Sequence, residues 1–198
     1  MATKLLGNKD RGKVFIISAP AGTGKTTLVQ KLTHEFPCVV ESISFTTRKP
    51  REGEIDGVHY NFVTEKEFER KIAEGEFLEY VRLYGYYYGT SLEWVESRLQ
   101  QGKHVLLVID TQGALLLKGK IPATYIFIAP PSIEDLRDRL VRRGTETPEK
   151  IEQRLEWSKK EMQVAKFYDY NIVNDDLHIA YKVLKSILIA EEHHVLPA

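Results

Sequence analysis

Cysteine occurs once in the 198 residues, at Cys38, which excludes a disulfide framework and a cysteine-rich zinc site and fits a reducing compartment. No apolar run approaches the roughly 18 residues of a membrane span. The opening MATKLLGNKDRG lacks the apolar stretch of a secretory signal. Net charge is missing too: 28 Lys and Arg balance 28 Asp and Glu, so there is no basic footprint for a nucleic-acid backbone or an acidic membrane. The six histidines are scattered without metal-ligand spacing, and there is no internal repeat or low-complexity segment. What remains is ordinary in proportion, 42% hydrophobic and 28% charged, which suits a folded core. These features predict a cytoplasmic globular protein of one to two domains.

The most apolar segments are short and far apart: Val14 to Ile17, Val105 to Ile109, Tyr125 to Ile128, and Ile172 with Val173. Near-continuous apolar runs of this length are expected of strands buried on both faces of a parallel sheet. Helical patterns lie between them. Leu28, Val29, Leu32 and Phe36 share a face before Pro37; Leu136 and Leu140 repeat until Gly144; Thr147 and Pro148 lead into Ile151, Leu155 and Met162. Asp176 precedes a last amphipathic run, Ile179 to Leu188, and Trp94 and Trp157 read as packing residues on helices. The alternation predicts an α/β fold, a parallel sheet flanked by helices.

Two stretches interrupt it. Residues 44–91 carry period-2 fragments such as Val58 to Val63 and one capped helix signal, Thr64 followed by Glu67, which predicts a small mixed-β insertion with one helix. Residues 134–161 hold basic and acidic side chains in equal number and predict a charged helical pair, leaving 1–43, 92–133 and 162–198 as the core.

Directly after the first strand comes Ala19-Pro-Ala21-Gly22-Thr23-Gly24-Lys25-Thr26-Thr27, and then a helix. Strand, glycine-rich turn and helix N-terminus are the setting of a phosphate loop. Glycines let successive N–H groups turn inward on a polyphosphate, and the helix adds its positive dipole end. Lys25 would reach the terminal phosphates, and the Thr26 hydroxyl would ligand Mg2+. Ala19 replaces the first glycine of the pattern. The run His104 to Asp110 is a buried strand ending in a carboxylate, either a helix cap or an acid that organises magnesium through water.

A phosphate loop leaves the reaction open, and the insertion narrows it. The sequence resembles guanylate kinase over nearly its whole length. The resemblance is carried by the loop, Ser44-Phe-Thr-Thr-Arg48-Lys-Pro-Arg51-Glu-Gly53, Gly57-x-x-Tyr60-Asn-Phe and Glu76-Phe-Leu-Glu79-Tyr80. It continues through Tyr87-Tyr88-Gly89-Thr90, Ile109-Asp110-x-Gln112-Gly113, Phe127 to Ser132, Arg143-Gly-Thr-Glu146-Thr and Val173-Asn174-Asp175-Asp176. Phe45 and Val108 depart from the family pattern.

The resemblance implies an ATP:GMP phosphotransferase that also accepts dGMP, with residues 44–91 as a GMP-binding insertion and 134–161 as a lid. Its small-molecule partners would be ATP and GMP, on a monomer or homodimer, with no nucleic acid and no membrane. It implies that Arg48, Arg51, Tyr60 and Tyr88 hold the acceptor phosphate, and that Ser44, Glu79, Thr90 and Asp110 recognise guanine. A carboxylate suits the N1–H and N2–H₂ edge of guanine and repels adenine, which presents an acceptor there. Asn174 would touch adenine, and Arg139, Arg143 and Arg154 would close over the moving phosphoryl group. With Lys25 and Arg48, these arginines form the expected catalytic set, because the barrier to joining two polyanions is largely electrostatic. A guanylate-kinase-like interaction module without catalysis would have a degraded loop. A simple P-loop NTPase would leave Arg48, Arg51, Tyr60 and Glu79 without a purpose.

Overall fold

The computed structural model describes residues 4–144 and 147–195, so Glu146 of the Arg143-Gly-Thr-Glu146-Thr motif lies outside them. In chain order the elements are β1 (Val14–Ser18), α1 (Lys25–Glu35), β2 (Val39–Glu41), β3 (Phe45–Thr46), β4 (Asn61–Phe62), α2 (Glu65–Ala73), β5 (Phe77–Leu83) and β6 (Tyr86–Ser91). There follow α3 (Leu92–Gln100), β7 (His104–Val108), α4 (Thr111–Leu117), β8 (Ala123–Ala129), α5 (Ile133–Arg143), α6 (Pro148–Val164), β9 (Tyr170–Val173) and α7 (Leu177–His193). None of the described helices is long and apolar enough to cross a membrane.

The main sheet runs β2-β7-β1-β8-β9 with every pair parallel. β1 is buried along its whole length because helices cover both faces. Phe15, Ile17, Leu106, Ile126 and Ile128 pack under α1 and α7, while Val14, Ile16, Val105, Leu107 and Tyr125 pack under α3 and α4. Successive side chains of a strand point to opposite faces, so an all-apolar strand fills two layers at once. The sheet's carboxyl ends bring Ser18, Val108 and Val173 to one edge, where open α/β sheets bind ligands.

The second sheet, β4-β3-β6-β5, is mixed: β3 and β4 run parallel, the other pairs antiparallel. Phe68 of α2 plugs it, stacked on Phe77 at 4.4 Å and on Tyr87 at 5.0 Å. Thr64 caps α2 as expected, its Oγ1 accepting from Glu67 N at 3.2 Å. Phe45, in its departure from the family pattern, joins this aromatic cluster edge-on to Phe77 at 5.8 Å. The charged pair α5 and α6 has a small apolar core of its own, Leu136, Leu140, Ile151 and Leu155. α7 ends at His193.

One buried charge fastens the far side of the core. Glu192 is fully buried and accepts from Gly7 N (2.6 Å), Asn8 N (3.0 Å), Asn8 Nδ2 (2.7 Å) and His104 Nε2 (2.5 Å). His104 Nδ1 accepts from Lys13 N at 3.1 Å, which leaves the ring proton on Nε2, facing the carboxylate. Burial alone would raise the Glu192 pKa, but the bonds from Gly7, His104 and Asn8 outweigh it and hold the carboxyl down to about 2. Glu192→Ala strands all of these donors and is expected to cost about 3 kcal/mol in urea denaturation at pH 7. Because the folded pKa is depressed, this stabilisation is present above pH 4.5 and is lost as pH falls toward 2. An acid-unfolding curve identical in the variant and the parent would contradict it.

Candidate active site

The phosphate loop hangs between β1 and α1. Gly24 takes φ 86° and caps α1, and a side chain there would meet Asn174 Nδ2 at 2.7 Å. That amide donates to Thr23 O at 2.6 Å, while Arg139 Nη2 donates to Asn174 O at 2.9 Å. Asn174, expected at adenine, is buried and has its amide nitrogen committed to bracing the loop. α5 lies over the same loop: a side chain at Gly22 would come within 3.0 Å of Leu140. Ala21, Thr26 and Thr27 are exposed, Thr23 is buried, and Lys25 is half-buried. Ala19 is buried and needs no left-handed backbone, so its methyl is accommodated where the pattern has glycine.

Beside the loop opens a cavity of about 270 Å³. The core contributes Lys25, Val108 and Asp110; the second sheet contributes Ser44, Tyr60, Glu79, Tyr84 and Tyr88; α6 contributes Arg154, Trp157, Ser158 and Glu161. Alternation along β5 turns Glu79 and Val81 inward and Tyr80 and Arg82 outward. Glu79 Oε1 accepts from the buried hydroxyl of Thr90 at 2.6 Å. Gly113 makes room for Glu79, since a side chain there would sit 2.8 Å from its Oε2. Desolvation pushes the Glu79 pKa up to about 7; Thr90 opposes the shift and Asp110 adds to it. Asp110 acts as the helix cap and also faces the cavity. Its Oδ1 caps α4, accepting from Gln112 N (2.7 Å) and Gly113 N (3.3 Å), and its carboxyl lines the cavity, raised by desolvation.

Lys25 is lowered by desolvation, and the negative charges of Glu161, then Asp110, then Glu41 oppose the shift. Glu41 and Glu161 are themselves raised by desolvation, Glu161 to about 7. The loop lysine thus stands among partly desolvated carboxyl groups, in a site where charge is weakly screened.

Arg48 forms a bidentate pair with Glu54 at 2.9 Å for each bond and lies over the Tyr60 ring at 5.3 Å. The same carboxylate accepts from Arg51 N at 2.7 Å, so Glu54 sets the Arg48–Arg51 turn. Tyr60 and Tyr88 meet at 6.0 Å between centroids. Arg143 is exposed; Arg139 and Arg154 are half-buried, and only Arg154 of the three lines the cavity. Arg137 is paired with Glu152 on the surface, as expected of a solvated helix face.

Trp157 is a correction. Expected as a packing residue, it faces the cavity and touches Tyr84 at 5.7 Å, joining α6 to the β5–β6 turn. Tyr84 is the one non-glycine residue with positive φ (51°) among those described. Glu41, Glu54, Tyr84, Trp157 and Glu161 were missed as site residues by sequence reasoning. For Glu161 a signal existed: positions 154, 158 and 161 repeat at helical spacing from an arginine already singled out.

A sequence model of the guanylate kinase family matches residues 11–191. The guanylate kinase of Protochlamydia amoebophila is 60% identical over 192 residues, covering 96% of this chain and 98% of that protein. That of Chlamydia pneumoniae is 53% identical, covering 91% and 89%. The crystal structure of guanylate kinase from Anaplasma phagocytophilum superposes with a TM-score of 0.77 at 32% identity, covering 97% of this chain and 91% of that one. With the phosphate loop, the mixed sheet and the carboxylate-lined cavity between them, these likenesses make the chain a member of the guanylate kinase family.

Proposed function

We propose that the chain transfers the γ-phosphoryl group of ATP to GMP, giving ADP and GDP, with dGMP as a further acceptor. The observation that carries this is Glu79, a desolvated carboxylate with one oxygen fixed by Thr90, in a cavity that opens onto Lys25. Guanine offers that carboxylate two parallel donors, and adenine offers an acceptor.

In this reading residues 21–27 cradle the ATP phosphates and Lys25 draws charge from the leaving group. Arg48 and Arg51, with the Tyr60 and Tyr88 hydroxyls, hold the acceptor phosphate, and Arg48 exchanges or shares Glu54 as it does so. The acceptor phosphate ionises with a pKa near 6, so no general base is needed at neutral pH. Residues 44–91 form the acceptor-binding part and residues 134–161 the lid, whose Arg139, Arg143 and Arg154 surround the transferring group and exclude water. The Thr26 hydroxyl and, through water, Asp110 would hold Mg2+. This sparse oxygen set suits an ion carried mainly by phosphate and water, which neutralises phosphate charge when bound. Balanced charge and a lone cysteine support a cytoplasmic enzyme, acting as a monomer or homodimer.

A coupled assay of ADP release tests the reading. Release with GMP should exceed that with AMP, UMP or no acceptor by at least about a hundredfold. Equal release without any monophosphate would make the chain a hydrolase.

A further inference from the structure

Glu161 is the carboxyl that the phosphotransfer reading leaves unused. It is 8% exposed, lines the acceptor cavity, and makes no hydrogen bond or ion pair among the described residues. A buried carboxylate without a donor is costly, and in a ligand site the missing donor belongs to the ligand. We infer that Glu161 is a substrate-binding residue that accepts hydrogen bonds from the ribose hydroxyls of the acceptor nucleotide. The inference rests on the acceptor occupying this cavity.

The donors available decide it. A nucleoside monophosphate of guanine brings few: the base-edge N–H groups, which meet Glu79, and the sugar hydroxyls. Of the cations on the cavity wall, Lys25 and Arg154 face incoming phosphate, which outbids a single carboxylate. Ser158 has its hydroxyl turned to Arg154 O at 2.7 Å. Tyr168, whose hydroxyl is buried without a partner, is not on the cavity wall. Glu161 on α6 and Glu79 on β5 line the same cavity as Lys25, so a nucleotide whose base meets Glu79 and whose phosphate lies toward Lys25 brings its sugar within this wall. A carboxylate there would otherwise repel phosphate, so hydroxyl donors are the partners that suit it.

Glu161 comes from α6, whereas Glu79 and Tyr88 come from the second sheet, so sugar recognition would complete the site only with the lid helix in place. The test compares GMP, dGMP and 2′,3′-dideoxy-GMP at saturating ATP, in the parent and in Glu161→Met, Glu161→Gln and Glu79→Gln. In the parent, kcat/KM should fall by about tenfold from GMP to the dideoxy sugar. Glu161→Met should bring the ratio of kcat/KM for GMP to that for the dideoxy nucleotide down to about one, whatever its common effect through Lys25; in Glu161→Gln, which keeps one acceptor oxygen, the ratio should fall between. Glu79→Gln should lower all three sugars in proportion. A Glu161→Met enzyme that lowers every sugar equally, or none, overturns the inference. If that variant does not fold, an unchanged GMP-to-dideoxy ratio in Glu161→Gln overturns it. If Glu79→Gln keeps full preference for GMP over AMP, the placement of the acceptor itself is wrong and the inference falls with it.

Discussion

Lys25→Ala is expected to lower kcat by about a thousandfold with every acceptor, GMP and dGMP alike. Removing one preorganised charge stabiliser from a water-poor site costs on the order of 10²–10³ in rate, and Lys25 carries a full charge. The surroundings enlarge the effect. Glu161, Asp110 and Glu41 all act on the Lys25 ammonium, so its loss leaves incoming phosphates facing carboxylates without a counter-charge. Lys25→Arg should not restore the rate, because a planar guanidinium cannot act as a compact point charge inside the loop. The measurement is ADP release under saturating nucleotide. A variant that keeps a tenth of the parent's kcat would remove Lys25 from the catalytic set.

Glu79→Gln should cost about a hundredfold in kcat/KM for GMP and abolish the preference for GMP over AMP. The amide keeps one oxygen but turns an NH₂ toward guanine donors, so one attraction becomes a repulsion. The pH profile gives a second readout. The Glu79 pKa is raised to about 7, and guanine needs the ionised form, so GMP use by the parent should weaken as pH falls below about 7. The variant should lose that part of the profile and retain the part due to Glu161, which titrates in the same range. The stability of the ligand-free protein follows the opposite sign. A folded pKa raised from 4.5 favours the protonated fold at low pH, a contribution lost as pH rises through about 7. An unchanged GMP profile in Glu79→Gln would contradict the assignment.

The core was legible because its chemistry is local. A strand buried on both faces has no polar positions, so β1, β7 and β8 stand out from the sequence, and the loop after β1 carries its function in its own spacing. β2 was not legible: three residues, Val39 to Glu41, are too few for any period. Residues 134–161 balance acids against bases in the sequence, and Glu152, paired with Arg137 on the surface, is a member of such a charged helix face. Glu161 differs from Glu152 in facing a cavity that it shares with Tyr84 and Lys25, residues far away in sequence. Glu54 was hidden for the same reason. Its use depends on Arg48 turning back over six residues to meet it. Asn174 shows the converse case: resemblance named the position, and only the structure shows its amide nitrogen bracing Thr23.

The way α5 and α6 are mounted has a further consequence. One helix lies over the phosphate loop through Leu140 and reaches Asn174 through Arg139, the other walls the neighbouring cavity, and a common set of apolar side chains binds the two. In the proposed reading such a lever has an arm at each nucleotide. Whatever factor ATP lends to the affinity for GMP, GMP must return to ATP, since the free energy of coupling has no direction. The pair of helices can therefore make each substrate wait for the other without any dedicated sensing residue.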